Sequence, residues 1–331
     1  MSWFEKLTGF PEYSPAQVRA NLILDGTVLT SNINGRSYDC GKLEIPTLAA
    51  LKSNVRAPVT YSRHISVREI VGNVQHLHAL PENEGALFQA ASQFNLLEMI
   101  GPSVSPEEGV GIYDNDFTQG PACAIACGAG TIYRNYFVPL GNQIGQTRNL
   151  QVDCLDEMGK YFSNDQSRLW KMQNGYALAT VEGLRELTER IRAMAEDERE
   201  AVKDRLKIGL QWDAEVSISE SRQKVSQAYC SAVPVAYSGI RSEYWETFAI
   251  LILEAAYEST LYAALSNYER KGNGRVFLTL LGGGAFGNEQ EWIMGALQRS
   301  LEKFQTTPLE INIVSYGRSQ AEVARLVDRF R

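Results

Sequence analysis

Three consecutive glycines, Gly282-Gly283-Gly284, open the run Gly-Gly-Gly-Ala-Phe-Gly-Asn that ends at Asn288, directly after the apolar stretch Arg275-Val276-Phe277-Leu278-Thr279-Leu280-Leu281. Regular structure does not continue through three glycines, because each loses more backbone freedom on ordering than any other residue. The stretch before them is short, continuous and apolar, as a strand covered on both faces requires. Beyond them, residues 289–304 read as a helix, 309–315 as a strand and 320–331 as a second helix. Strand–loop–helix–strand–helix predicts a parallel sheet with helices on its faces. Ligands of such sheets sit beyond the carboxyl ends of the strands, where this glycine run falls. Glycines there let main-chain N–H groups approach an anion, helped by the N-terminus of the next helix. The plain alternative is a tight strand-to-helix turn, and composition alone leaves the two about even. A P-loop is excluded because no Lys-Ser/Thr follows, and the spacing is not Gly-x-Gly-x-x-Gly.

The rest of the chain supplies enough elements for a sheet between two helical layers. Leu22 to Leu43 holds short β-like runs broken by Asp25-Gly26 and Asn34-Gly35, which predicts a small N-terminal hairpin or sheet. Extended structure is expected over 67–74, a buried strand within 85–95, and a Gly/Pro-rich loop from there to Pro121. A packed helix follows from Ala122 to about Phe137. Leu184, Leu187, Ile191, Met194 and Val202 share one face of an otherwise charged stretch, predicting a single helix over 181–206. Residues 210–218 read as a strand and 231–237 as a strand or buried loop. A long helix from Glu243 to about Glu269 closes at Gly272-Asn273-Gly274. We therefore expect an N-terminal extension over 1–65 packed on a main domain over 66–331.

Several function classes drop out. A net charge of −7 argues against general affinity for nucleic acid, which needs a clustered basic face. The five cysteines, Cys40, Cys123, Cys127, Cys154 and Cys230, show no metal-binding spacing and read as buried thiols in a reducing compartment. No zinc set forms around His76 and His78, so no metal is expected. No basic leader precedes an apolar segment, and the longest apolar stretch, 247–256, contains Glu254 and is too short to span a bilayer. The expectation is a soluble cytoplasmic protein without membrane partners, with leaderless secretion still open. Gly-x-Ser-x-Gly is absent, so no serine nucleophile elbow is signalled.

Gly282 to Gly287 resembles the second phosphate loop of macrodomains, and in particular the Gly-Ala-Phe-Gly loop of poly(ADP-ribose) glycohydrolases. Two earlier segments keep the same order. Val71-Gly72-Asn73-Val74, followed by the apolar stretch from Ala86 to Asn95, is similar to the macrodomain opening. Asn73 then stands where an aspartate contacts adenine, a departure from the usual pattern, and Asn95 stands where an asparagine faces the distal ribose. The glycine-rich first loop of ordinary macrodomains is replaced by residues 101–121. Thr118-Gln119-Gly120-Pro121-Ala122-Cys123-Ala124 and Tyr133-Arg134-Asn135-Tyr136-Phe137 resemble divergent effector macrodomains of Legionella that remove ADP-ribose from arginine of modified ubiquitin.

The resemblance implies a macrodomain-like three-layer α/β fold with a mixed central sheet, binding ADP-ribose without a cofactor or compulsory metal. Gly282, Gly283, Gly284, Ala285, Gly287 and Asn288 would hold the diphosphate, Phe286 and Asn95 the distal ribose, with Asn73 and Gln119 completing the ligand-binding set. Cleavage at the anomeric carbon passes through an oxocarbenium-like state that a nearby carboxylate stabilises. Asp114 and Asp116 fall in the loop bordering the distal ribose, and Asp213, beside Trp212, is a third candidate. The expected activity is hydrolysis of mono-ADP-ribose from protein side chains, arginine favoured, with modified protein such as ubiquitin as partner. A non-catalytic ADP-ribose reader and a hydrolase of a free ADP-ribose derivative remain the alternatives.

Overall fold

The structure is a computed structural model that describes residues 1–55 and 63–330. Its centre is a seven-stranded sheet, with strands labelled in chain order: β1 (Lys42–Glu44), β2 (Ser66–Val71), β3 (Leu87–Ala91), β4 (Gly209–Glu215), β5 (Lys224–Cys230), β6 (Arg275–Thr279) and β7 (Glu310–Ser315). They lie in the order β1-β4-β5-β3-β6-β7-β2. β1, β4 and β5 pair antiparallel, and every pairing from β5 through β2 is parallel. The sheet is therefore mixed, as expected, with its parallel block centred on β3 and β6.

Alternation along β3 divides the two faces. Gln89 turns toward the helix Glu246–Lys271, donating to Thr260 at 2.9 Å. Phe88 points the other way and stacks on His78 of the helix Val74–Ala79, ring centroids 3.8 Å apart. Helices thus cover both faces and complete the three layers. The 26-residue helix Glu246–Lys271 is long and apolar enough to cross a membrane by length and composition, but 89% of its apolar window is buried inside the protein. It is a core helix, and its own Glu254 and Glu258 explain why. Both are buried, and Arg199 meets Glu254 at 2.6 Å while Lys52 meets Glu258 at 3.0 Å.

That ion network accounts for one departure from expectation. The helix expected over 181–206 is two, Val181–Ala193 and Glu196–Lys203, with Met194 and Ala195 extended between them. The break redirects the second piece so that Arg199 and the buried Lys203 reach the two glutamates. Periodicity sees the apolar stripe but not the charges it must meet. A second helix also splits: Gln119–Ala126 and Gly128–Tyr136 are separated at Cys127, where Ser217 Oγ accepts the Gly128 N–H at 2.9 Å. The 231–237 run is a buried loop ending in a 3-10 turn, and 67–74 divides into β2 and the cap of the next helix.

The first 40 residues form a small antiparallel sheet (22–25, 28–31, 37–39) and two short helices, Trp3–Thr8 and Pro15–Asn21. They enclose a second, smaller core in which Phe4, Phe10 and Val18 pack with Leu97, Met99, Val110 and Tyr113. Further along the expected extension, β1 forms the edge of the central sheet against Leu210–Trp212, and the helix Leu48–Asn54 packs on the core helix. Residues 56–62 of that extension lie outside the described residues.

Candidate active site

The parallel strands β3, β6 and β7 end on one side of the sheet, and so does β5, which runs parallel to β3. Beyond their carboxyl ends lies a cavity of about 490 Å³. That size suits a ligand of nucleotide dimensions. Its walls include Ala91 to Gln93 after β3, Ala232 after β5, Thr279 to Phe286 after β6, and Val314 and Tyr316 at β7.

The glycine run forms a closed loop on one wall. The Asn288 N–H donates to the Gly282 carbonyl at 2.9 Å, and its side-chain amide donates to the Val233 carbonyl at 2.8 Å. Gly282 adopts a φ of +77°, and a Cβ there would stand 2.5 Å from Ala232 Cβ. Glycine is thus required for both the turn and the close approach. Gly284 differs: nothing lies within 4 Å of the place its Cβ would occupy. The loop is anchored at its start by Tyr257 of the core helix. Its hydroxyl donates to the Thr279 carbonyl at 2.8 Å and accepts the Leu281 N–H at 2.9 Å. Tyr257→Phe removes both bonds from a fully buried place. The Leu281 N–H still donates to the Thr279 carbonyl at 2.9 Å, so neither group is orphaned, and we expect a loss of about 0.5–1.5 kcal/mol in stability by urea denaturation. Phe286 closes the loop's far end, its ring 5.2 Å from Tyr176 and 5.7 Å from Tyr237.

The facing wall begins at the N-terminus of the helix Gln119–Ala126, where no side chain caps the first turn. Gly120 lets this turn sit directly on the end of β3, since a Cβ would fall 2.1 Å from the Ala91 carbonyl oxygen. Asp116 borders the cavity just before it, its Oδ1 accepting the Thr118 N–H at 2.9 Å.

Between these walls stands Glu98. The segment carrying it is a tight loop held by side-chain amides. Gln93 accepts the Met99 N–H at 2.8 Å and donates to the Met99 carbonyl at 3.2 Å, and Asn95 Oδ1 accepts the Leu97 N–H at 3.1 Å. Leu96 takes a φ of +65° within it. The Glu98 backbone N–H donates to the Tyr113 hydroxyl at 3.0 Å. Its side chain is 3% exposed, lines the cavity, and finds no hydrogen-bond donor for either carboxyl oxygen. Burial lifts the Glu98 carboxyl to about 8, with the charge of buried Arg134 and the Tyr113 hydroxyl opposing the rise and the charge of Asp116 adding to it. A carboxyl with that property exchanges protons near neutrality, as an acid–base catalyst must.

The structure therefore brings together Asp116, Gln119, Gly282 to Phe286 and Asn288 around one cavity. Gly287 supplies a φ of +70° to the loop without lining it. Asp114 and Asn73 instead line an adjoining groove of about 150 Å³, which shares Asp116, Phe117, Gln119 and Tyr316 with the cavity. Asp114 accepts the Trp3 backbone N–H at 2.7 Å, and Asn73 caps the helix Val74–Ala79 through the Gln75 N–H. Asn95 is fully buried, spending its amide on Leu97 and Gln151, and shapes the Glu98 loop from behind. Asp213 lies away from the cavity. It sits at a bulge in β4 with a φ of +59° and pairs with Arg270 and Lys271, at the end of the core helix that precedes the start of β6. Asp213→Asn is accordingly expected to cost under about 1 kcal/mol in denaturation and leave ligand affinity unchanged by calorimetry.

Glu98 and Tyr176 are the residues that sequence reading passed over. The available signal was a lone acid in the otherwise apolar Leu96-Leu97-Glu98-Met99-Ile100, just after a buried strand. Among the described residues no group of three or more His, Cys, Asp or Glu side chains is arranged to hold a metal.

No protein-family model matches the chain, and no curated protein matches it in sequence. Solved structures do resemble it. Poly(ADP-ribose) glycohydrolase from Thermomonospora curvata, bound to the inhibitor ADP-HPD, is 12% identical with a TM-score of 0.45, covering 96% of this chain and 97% of that one. The enzyme of the same name from Deinococcus radiodurans, in complex with ADP-ribose, is 11% identical with a TM-score of 0.42, covering 87% and 93%.

Proposed function

We propose that the cavity binds ADP-ribose and cleaves the glycosidic bond joining it to a modified protein side chain. The observation that carries this reading is the unpartnered Glu98 carboxyl, with Asp116 beside it, across a cavity from a closed glycine loop. Two carboxyl groups flanking one space are what glycoside hydrolysis requires. The loop Gly282–Asn288 offers main-chain N–H groups to the diphosphate, and the uncapped helix start at Gln119 and Gly120 offers its own. Phe286, braced by Tyr176 and Tyr237, gives the distal ribose an apolar wall.

In this scheme the bond from the anomeric carbon to the side-chain atom breaks, and its electron pair leaves with the side chain. Glu98, protonated near neutrality, hands its proton to the departing atom. Asp116 stabilises the positive charge on the sugar. Water then adds at the anomeric carbon and returns a proton to Glu98, which closes the cycle. The preference for arginine linkage, with ubiquitin among the targets, rests on the resemblance carried by residues 118–124 and 133–137. The test offers the purified protein arginine-modified ubiquitin, acid-linked modified protein and free ADP-ribose derivatives, and follows released ADP-ribose by chromatography. Release from arginine-modified protein is expected. Binding without release from any of them leaves a reader and removes the hydrolase.

A further inference from the structure

Glu12 belongs to the N-terminal segment, yet its carboxyl is inserted into the loop that leads to the cavity. Its Oε1 accepts the Val110 N–H at 3.1 Å and the Tyr136 hydroxyl at 2.6 Å, and its Oε2 accepts the Gly111 N–H at 2.6 Å. Two glycines make the room: a Cβ on Gly109 would stand 2.5 Å from Oε2, and one on Gly111 2.8 Å. All three donors are neutral. Burial raises the carboxyl above its ordinary range, against their pull.

From this anchor two short paths reach the cavity. Residues Gly111–Asn115 form one 3-10 turn, begun by the Tyr113 N–H on the Val110 carbonyl at 3.1 Å. The buried Tyr113 hydroxyl then receives the Glu98 N–H at 3.0 Å. The same turn closes on the Asp116 N–H, which donates to the Tyr113 carbonyl at 3.1 Å. Trp3 reinforces the turn from the same side, its backbone N–H on Asp114 and its indole N–H on the Val110 carbonyl at 3.0 Å.

We propose that Glu12 is a positioning residue that fixes where Glu98 and Asp116 stand, which makes the N-terminal segment a working part of the cavity. The proposal rests on the reading of those two acids as the hydrolytic pair. Glu12 touches neither ligand nor reacting atoms, and it acts only through Val110, Gly111 and Tyr113.

The test is Glu12→Gln, whose amide keeps one acceptor but turns a donating NH₂ toward a backbone N–H. ADP-ribose release should slow about 10- to 100-fold in kcat, since small misplacements of reacting groups cost that much. The ADP-ribose Kd should stay within about two-fold, because the glycine loop is untouched. By amide hydrogen exchange, Val110, Gly111 and Glu98 should lose protection by roughly ten-fold or more, while Leu281 and Asn288 keep theirs. Tyr136→Phe removes one bond of three and should move every readout the same way by less, which covers a poorly folding first variant. Unchanged exchange at Glu98 with undiminished kcat overturns the proposal. So does a uniform rise in exchange that includes Leu281, the mark of general destabilisation. If the unaltered protein releases ADP-ribose from nothing, the functional reading fails by itself, and the exchange pattern still decides whether Glu12 sets Glu98.

Discussion

Glu98→Gln lowers the turnover number for ADP-ribose release by about 10³-fold, the scale of losing a positioned acid–base group. The amide keeps the size and burial of the acid but can neither give up nor take a proton. Affinity for ADP-ribose, measured by calorimetry, should change little. On the proposed reading the unaltered protein should release less ADP-ribose as pH rises past about 8, where Glu98 gives up its proton. The same property fixes the sign of a stability effect. The folded chain holds the Glu98 proton up to about pH 8, whereas a glutamate in the unfolded chain releases it near its ordinary value of 4.5. Between those values the folded state binds more protons, so stability declines as pH rises through that window. Glu98→Gln removes the decline. Denaturation in urea at pH 5 and pH 8.5 should show the variant gaining on the unaltered protein, by an amount on the order of 3 kcal/mol at the higher pH. Full turnover together with equal stability at both values would falsify the assignment of Glu98.

Gly284→Val is the second large effect, and it falls on binding. The other glycines of the loop do not separate folding from function: Gly282 is hemmed in by Ala232 and Asn288, and Gly283 by Ile293. At Gly284 an added Cβ meets no protein atom within 4 Å, so the variant should fold with a melting temperature close to that of the unaltered protein. The branched side chain stands instead where the main chain must meet the diphosphate. We expect ADP-ribose affinity to fall by at least about 100-fold, the consequence of holding the phosphates off their N–H donors. Undiminished affinity by calorimetry would remove the loop from the binding site.

Much of this architecture is legible because its signals are local. The run from Arg275 to Leu281, the glycines after it and the helix beyond are read within thirty residues, and β6, the loop and the helix Gln290–Lys303 follow. The helix break at Met194 was not legible, because its cause is a pair of glutamates more than fifty residues away. Asp213, an acid beside an aromatic in a strand, reads from sequence as a site candidate. Its reason is the pair of cations at 270 and 271, which no local pattern announces. Asn95 shows the opposite case: the right neighbourhood, with the side chain turned inward to build the loop. Glu98 escaped because its chemistry comes from burial, and burial of a single acid in an apolar run is a tertiary property.

The residues flanking Glu98 and those of the glycine loop lean on different hydrophobic cores. Leu97 and Met99, on either side of Glu98, pack in the smaller N-terminal core, whereas Leu281, Phe286 and Ala232 pack in or against the large one. Parts of a fold can open as separate cooperative units below the global transition, and the smaller core is the candidate for one. If the proposed activity holds, the protein on warming should pass through a range in which it still binds ADP-ribose but has lost the geometry that would cut it. Enzyme and reader would then be two thermal states of one chain.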